Sequence, residues 1–192
     1  MRGECDRRGR AETYCVIDES EEVKESAPTR TAGAMQWLWL SIGVIALDQL
    51  TKWLIEQRLE LFDQIDLLPV LALKLLYNEG AAFSFLSTAS GWQKWFFIVL
   101  ALTISVVIIV WLYRLPAKGQ AWLAAALALV VGGALGNVID RVAHGHVIDF
   151  ILVHYRAWYF PAFNVADSAI TVGAVMLIVD SLFGGSKKTK AG

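Results

Sequence analysis

Four stretches of at least nineteen residues with almost no charge decide what this chain can fold into. They are Met35 to about Glu56, uncharged until Asp48 and Lys52; Trp95–Tyr113; Ala121–Ile139; and Val165–Phe183, with Asp167 near its start and Asp180 near its end. About 20 apolar residues cross a hydrocarbon core ~30 Å thick as a helix. Inside a bilayer the backbone must satisfy its own hydrogen bonds, which favours helices over open strands. Trp37, Trp39, Trp92, Trp95, Trp111, Tyr113, Trp122, Trp158 and Tyr159 gather at the ends of these stretches, the depth that amphipathic rings prefer. The expected fold class is an all-α integral membrane protein with four transmembrane helices.

Charge is concentrated outside them. Residues 1–34 hold fourteen of the thirty-five Asp, Glu, Lys and Arg. With both signs mixed and no apolar period, this segment reads as a disordered polar tail. It lacks the apolar core of a secretory signal peptide, and Met35, at the break in composition, is a candidate second translation start. Residues 35–184 form the membrane domain and 185–192 a short basic tail. The net charge of −1 gives no electrostatic footprint for nucleic acid. Two Cys, at 5 and 15, make neither a disulfide framework nor a Cys-based zinc site. Lys24, Arg30, Arg114, Lys118, Lys187, Lys188 and Lys190 lie on one side of the spans, against Arg58, Lys74, Lys94, Arg141 and Arg156 on the other. This bias places both termini in the cytoplasm. The longer connections, 57–94 and 140–164, then face outward. Within the first, LPVLALKLLYN and AAFSFL, broken at Glu79–Gly80, read as short strands of a small extracytoplasmic β-rich flap.

A charge within a span costs ~2.5–3.5 kcal/mol on insertion scales, so each polar residue there needs a reason. Asp48 and Lys52 are spaced i,i+4, where opposite charges pair on one helix face; they read as a structural ion pair. In Asn78-Glu79-Gly80-Ala81-Ala82-Phe83, small residues allow close backbone approach, or simply a tight turn. Gly132 and Gly136 form a GxxxG pair suited to helix packing, and Gly133, Asn137, Asp140 and Arg141 lie in the same run.

Asp149 and Asp167 stand near the outer ends of neighbouring spans. Two carboxylates converging there can share one proton, since like charges at close range do not both ionise freely. One then activates water while its protonated partner polarises a carbonyl. Simpler readings are a solvated loop acid for Asp149 and a capping box for Asp167 with Asn164. His144 and His146, on one face if extended, with Asp149 offer a competing metal site.

Taken together, DQLTK (Asp48–Lys52), NEGAAF (Asn78–Phe83), GNVIDR (Gly136–Arg141), VIDF (Val147–Phe150) and FNVADSAI (Phe163–Ile170) closely resemble the bacterial prolipoprotein signal peptidase (signal peptidase II) family. They occur in family order across roughly residues 35–183. The resemblance implies a metal-independent, cofactor-free membrane aspartic endopeptidase with Asp149 and Asp167 as its catalytic dyad. It implies that Asn78, Gly80, Gly133, Asn137, Arg141 and Asn164 bind substrate or position the dyad, with Asp48, Lys52 and Asp140 as structural support. The implied partners are membrane lipid, a diacylglyceryl-modified prolipoprotein cut before its lipidated cysteine, and globomycin-type inhibitors. The implied location is the bacterial inner membrane, with the active site at the outer face. The polar tail has no counterpart in the family pattern. A rival reading is a small transporter or proton conductor using Asp48, Lys52, Asp140 and Asp180 as relay groups. A relay spreads ionisable groups through the membrane depth, whereas Asp149, Asp167, Asn137 and Asn164 crowd one face.

Overall fold

The computed structural model describes residues 34–80, 92–116 and 119–183. The remainder of the polar N-terminal tail, the basic C-terminal tail and the AAFSFL segment lie outside the described residues. Ala34, assigned above to the tail, belongs to the folded domain: it is buried and donates its N–H to Leu112 O at 3.2 Å.

After a 3-10 turn at Met35–Trp37 come α1 (Leu38–Glu56), β1 (Gln64–Leu68), β2 (Leu71–Asn78), α2 (Trp92–Arg114), α3 (Ala121–Ala143), β3 (Val147–Tyr155), β4 (Trp158–Tyr159) and α4 (Val165–Phe183). The helices are long and apolar enough to cross a membrane. α3 is buried over most of its length and touches the other three, which leave most of their surface outward. That outer surface is Leu47, Trp53, Val99, Val106, Val107, Ile178 and Leu182 rather than charge, a surface suited to lipid and not to water.

Small residues explain why α3 sits at the centre. A Cβ on Gly132 would meet Ser41 O of α1 at 2.9 Å. One on Gly133 would collide with the Ala166 carbonyl of α4. One on Gly136 would meet Asp48 Oδ2 at 2.9 Å. Each glycine of GGALG therefore seats a different neighbour, and close helix approach of this kind is what drives packing in lipid. α3 also runs four residues past Ile139, to Ala143, so Asp140 and Arg141 are helical.

The flap differs from its expected form in two respects. LPVLALKLLYN is not one strand: it turns at Pro69–Val70, and the first strand begins upstream at Gln64. The 140–164 connection, to which no strands were assigned above, contributes β3 and β4 to one antiparallel sheet ordered β1-β2-β3-β4. VIDFILVHY is rich in β-branched residues, and packing between β2 and the helix ends turns that preference into a strand. Both faces of β3 are covered from Val147 to Phe150.

Candidate active site

All connections that carry the sheet leave the same end of the bundle, and the polar residues singled out above collect there. β2 holds a bulge between Leu73 and Leu76, after which Leu76 pairs with Asp149 and Asn78 with Val147. Asn78 and Asp149 thus become diagonal neighbours on one sheet face, within reach of each other. Asn78 Nδ2 donates to Asp149 Oδ2 at 2.9 Å, and Asn78 Oδ1 accepts the Gly80 N–H at 2.9 Å. Gly80 has φ +102°, a conformation that glycine adopts without steric cost.

Asp149 is 3% exposed and Asn164 fully buried. Asn164 Nδ2 donates to Asp149 Oδ1 at 2.8 Å and lies 3.2 Å from both Ile148 O and Asn137 Oδ1. Its Oδ1 and its backbone N–H engage Asp167. Asp167 N donates to Asn164 Oδ1 at 2.9 Å, and Asn164 N donates to Asp167 Oδ2 at 3.3 Å. The capping box is therefore real, and it coexists with convergence: one asparagine holds both acids. Asn137 Nδ2 completes the cradle with a 2.7 Å bond to Asp167 Oδ1. Asp167, in the first turn of α4, is half-buried and the more open of the two. Asp149 is not a solvated loop acid. Burial, outweighing the Asn78 amide and aided by the nearby Asp167 charge, raises its pKa from 3.8 to about 7.

Beneath the acids lies a buried ionic network larger than the expected pair. Lys52 Nζ is 2.7 Å from both Asp48 Oδ2 and Asp140 Oδ2, and 3.2 Å from Asn137 Oδ1. Asp48 Oδ1 accepts the Ala166 N–H at 2.9 Å, fixing the start of α4. Asp140 Oδ2 accepts the Ile148 N–H at 3.2 Å, fixing β3 one residue before Asp149. Gln49, quoted within DQLTK but given no role, donates to Asp140 Oδ1 at 2.7 Å. Its position beside Asp48 was the available signal. Arg141 donates to Asn137 O at 3.2 Å. Gly133 packs against the first turn of α4, the turn that carries Asp167.

His144 and His146 have ring centroids 6.0 Å apart, and His146 lies 4.1 Å from the Tyr77 ring. Burial, then the His144 charge, lowers the His146 pKa below its usual value. Among the described residues, no three His, Cys, Asp or Glu side chains are arranged to hold a metal ion. Asp180 lies at the far end of α4, away from all of these groups.

Comparison with known proteins gives this geometry its family. A family model described as signal peptidase (SPase) II matches residues 40–183. A lipoprotein signal peptidase of Pseudomonas fluorescens is 58% identical over 159 residues, covering 82% of this chain and 92% of that protein. One from Pseudomonas aeruginosa is 55% identical over 161 residues, covering 83% and 94%. A bacterial membrane enzyme solved by the in meso method at 2.3 Å resolution superposes with a TM-score of 0.69 at 30% identity, over 82% of this chain and 93% of that one. With the four spans, the flap and the paired acids in place, this chain belongs to the signal peptidase II family of membrane aspartic peptidases.

Proposed function

We propose that the protein removes the signal peptide from diacylglyceryl-modified prolipoproteins, using Asp149 and Asp167 as its catalytic dyad. The observation that carries this reading is Asn164, whose backbone and side chain hold both carboxylates at once. In the proposed resting state the shared proton sits on buried Asp149, whose pKa is pushed to about 7. Asp167, which accepts from the Asn137 amide and the Asn164 N–H as a carboxylate, takes a proton from water as that water attacks the scissile carbonyl carbon. Asp149 donates its proton to the carbonyl oxygen as the tetrahedral intermediate forms. Collapse returns that proton to Asp149 and delivers the proton on Asp167 to the departing amine, so the dyad ends as it began. The two acids titrate as a pair, and a pH profile reports the pair. Each proton transfer by a placed group contributes ~10²–10⁴-fold.

The substrate reading follows from height. The acids lie where the sheet meets the ends of α3 and α4, a level that suits the surface of the bilayer rather than its middle. A precursor anchored by its signal helix and two acyl chains presents the bond before its lipidated cysteine at that level. The bias of Lys and Arg toward the opposite end supports cytoplasmic termini and a dyad at the outer face. Globomycin-type cyclic peptides are expected to bind at the same two acids. Incubation of purified protein with a lipidated and an unlipidated precursor is the test. Release of signal peptide from the lipidated form alone is expected, and equal cleavage of both would refute the substrate assignment.

A further inference from the structure

Phe97, in the second turn of α2, belongs to none of the motifs above, yet it touches two groups that bear on the dyad. The Arg141 guanidinium carbon lies 5.1 Å from its ring centroid, a cation–π distance. On another side, a Cβ placed on Gly80 would meet Phe97 Cε2 at 2.8 Å and Cδ2 at 3.2 Å. The Gly80 backbone therefore lies directly against the ring. Phe96 packs edge-on to Phe97 with centroids 5.4 Å apart, restricting how the ring can turn.

Each contact leads toward the dyad through an asparagine. Gly80 N–H is held by Asn78 Oδ1, and the other end of that amide donates to Asp149. Arg141 stands one helical turn after Asn137, whose side chain donates to Asp167 at 2.7 Å. Its hydrogen bond to Asn137 O lies within its own helix and leaves the far end of the guanidinium to be placed by packing. An ammonium would not serve as well, since a planar guanidinium lies flat on a ring.

We propose that Phe97 is a positioning residue for the peptidase reaction, its ring seating the Gly80 turn and holding the Arg141 guanidinium one turn beyond the asparagine that binds Asp167. The inference rests on the dyad reading above. A cation near two acids favours the form in which one is ionised; Lys52, which acts on Asp149 from beneath, is left in place by every Phe97 variant. Loss of the ring releases Arg141 and makes that ionisation harder. The effect therefore falls on the acid limb of the rate profile and on kcat more than on KM.

The experiment measures kcat, KM and the pH dependence of kcat/KM with a lipidated precursor, together with a melting curve in detergent, for Phe97→Leu, Phe97→Tyr and Asp149→Asn. Phe97→Met, unbranched and without a ring face, replaces the Leu variant if that one does not accumulate. Phe97→Leu is expected to lose roughly tenfold in kcat/KM, mostly in kcat, and to move the acid limb up by about half a pH unit. Phe97→Tyr, which keeps the ring face, is expected to restore both. In an Arg141→Met background, Phe97→Leu should shift the limb no further. A Phe97→Leu variant with an unmoved acid limb overturns the inference, as does a Tyr variant no better than Leu, or a further shift in the Arg141→Met background. Turnover by Asp149→Asn would remove the dyad reading and this inference with it. An inactive Asp149→Asn beside an unmoved Phe97→Leu limb removes the positioning role alone.

Discussion

Lys52→Met tests whether the buried network holds the site together. Lys52 is 2% exposed and its Nζ lies 2.7 Å from one oxygen each of Asp48 and Asp140, themselves 0% and 1% exposed. At that distance an effective dielectric near 20 gives ~6 kcal/mol of attraction per contact before solvation is counted. Desolvation of three charges cancels much of this, so the intact network adds little net stability. Removing the cation is different, because it strands two buried carboxylates facing one another. Breaking one buried pair costs ~3–5 kcal/mol, and at ~2–4 °C per kcal/mol for a domain of this size the melting point should fall by ~6–20 °C. Asp48→Asn should cost less, because Lys52 keeps Asp140 and the new amide oxygen can still accept the Ala166 N–H. The double variant Lys52→Met/Asp48→Asn removes one of the stranded anions and should melt above Lys52→Met alone. Such a sign of non-additivity is the signature of coupling. The assay is a melting curve in detergent for all three, with membrane abundance measured alongside. A Lys52→Met protein melting within about 2 °C of wild type, or a double variant no more stable than the single, would refute the reasoning.

Asp149→Asn and Asp167→Asn should each lower specific activity per folded molecule by at least ~10²–10⁴-fold while the protein still inserts and melts cooperatively; turnover near wild type by either removes the dyad. The contribution of Asp149 to stability should be fully present below about pH 4 and be lost as pH rises to about 7, since the folded chain keeps on Asp149 a proton that the unfolded chain releases near 3.8. The loss is ~4 kcal/mol at most, and Asp149→Asn should flatten that slope between pH 4 and 7 in melting curves. Gly133→Ala drives a methyl into the Ala166 carbonyl and Ile170, so it should cost ~1–3 kcal/mol and lower activity by moving Asp167, as circular dichroism melting and turnover would show. Chelator treatment of the purified enzyme should leave cleavage unchanged; loss restored by zinc would point to a metal mechanism instead.

The spans were legible because their constraint is one-dimensional. Some twenty residues with almost no charge have few alternatives in any fold, so the starts and ends of the four helices fall within a few residues of the composition breaks. Residue types in the site were legible for the same reason, since each polar group near a span stands out. β3 was not, because VIDFILVHY becomes a strand only by pairing with β2, some seventy residues earlier in the chain, and its acid reads as exposed until that pairing buries it. Gln49 and Phe97 were missed on related grounds. Gln49 stands next to a charge, which marks it as polar but does not name Asp140 as its partner, and Phe97 stands amid apolar residues with no signal at all.

What no spacing rule could supply is the direction in which each amide points, and the network supplies it. An asparagine in a polar site can present either oxygen or nitrogen to a carboxylate. Lys52 removes that choice for Asn137: its ammonium can only donate, so Asn137 Oδ1 turns toward Lys52 and Nδ2 toward Asp167. Asn164 is fixed in the same way, since Asp167 N–H donates to its oxygen and leaves its nitrogen for Asp149. Asn78 follows, its oxygen taken by Gly80 N–H. Asp48 and Asp140 meanwhile tie down the backbone just before each acid, at Ala166 and Ile148. The ions beneath the site therefore locate the segments that carry the two carboxylates and, with the amides, ensure that each carboxylate meets donors. This is why the costly buried charges of α1 sit where they do, one layer below acids that α1 does not itself contain.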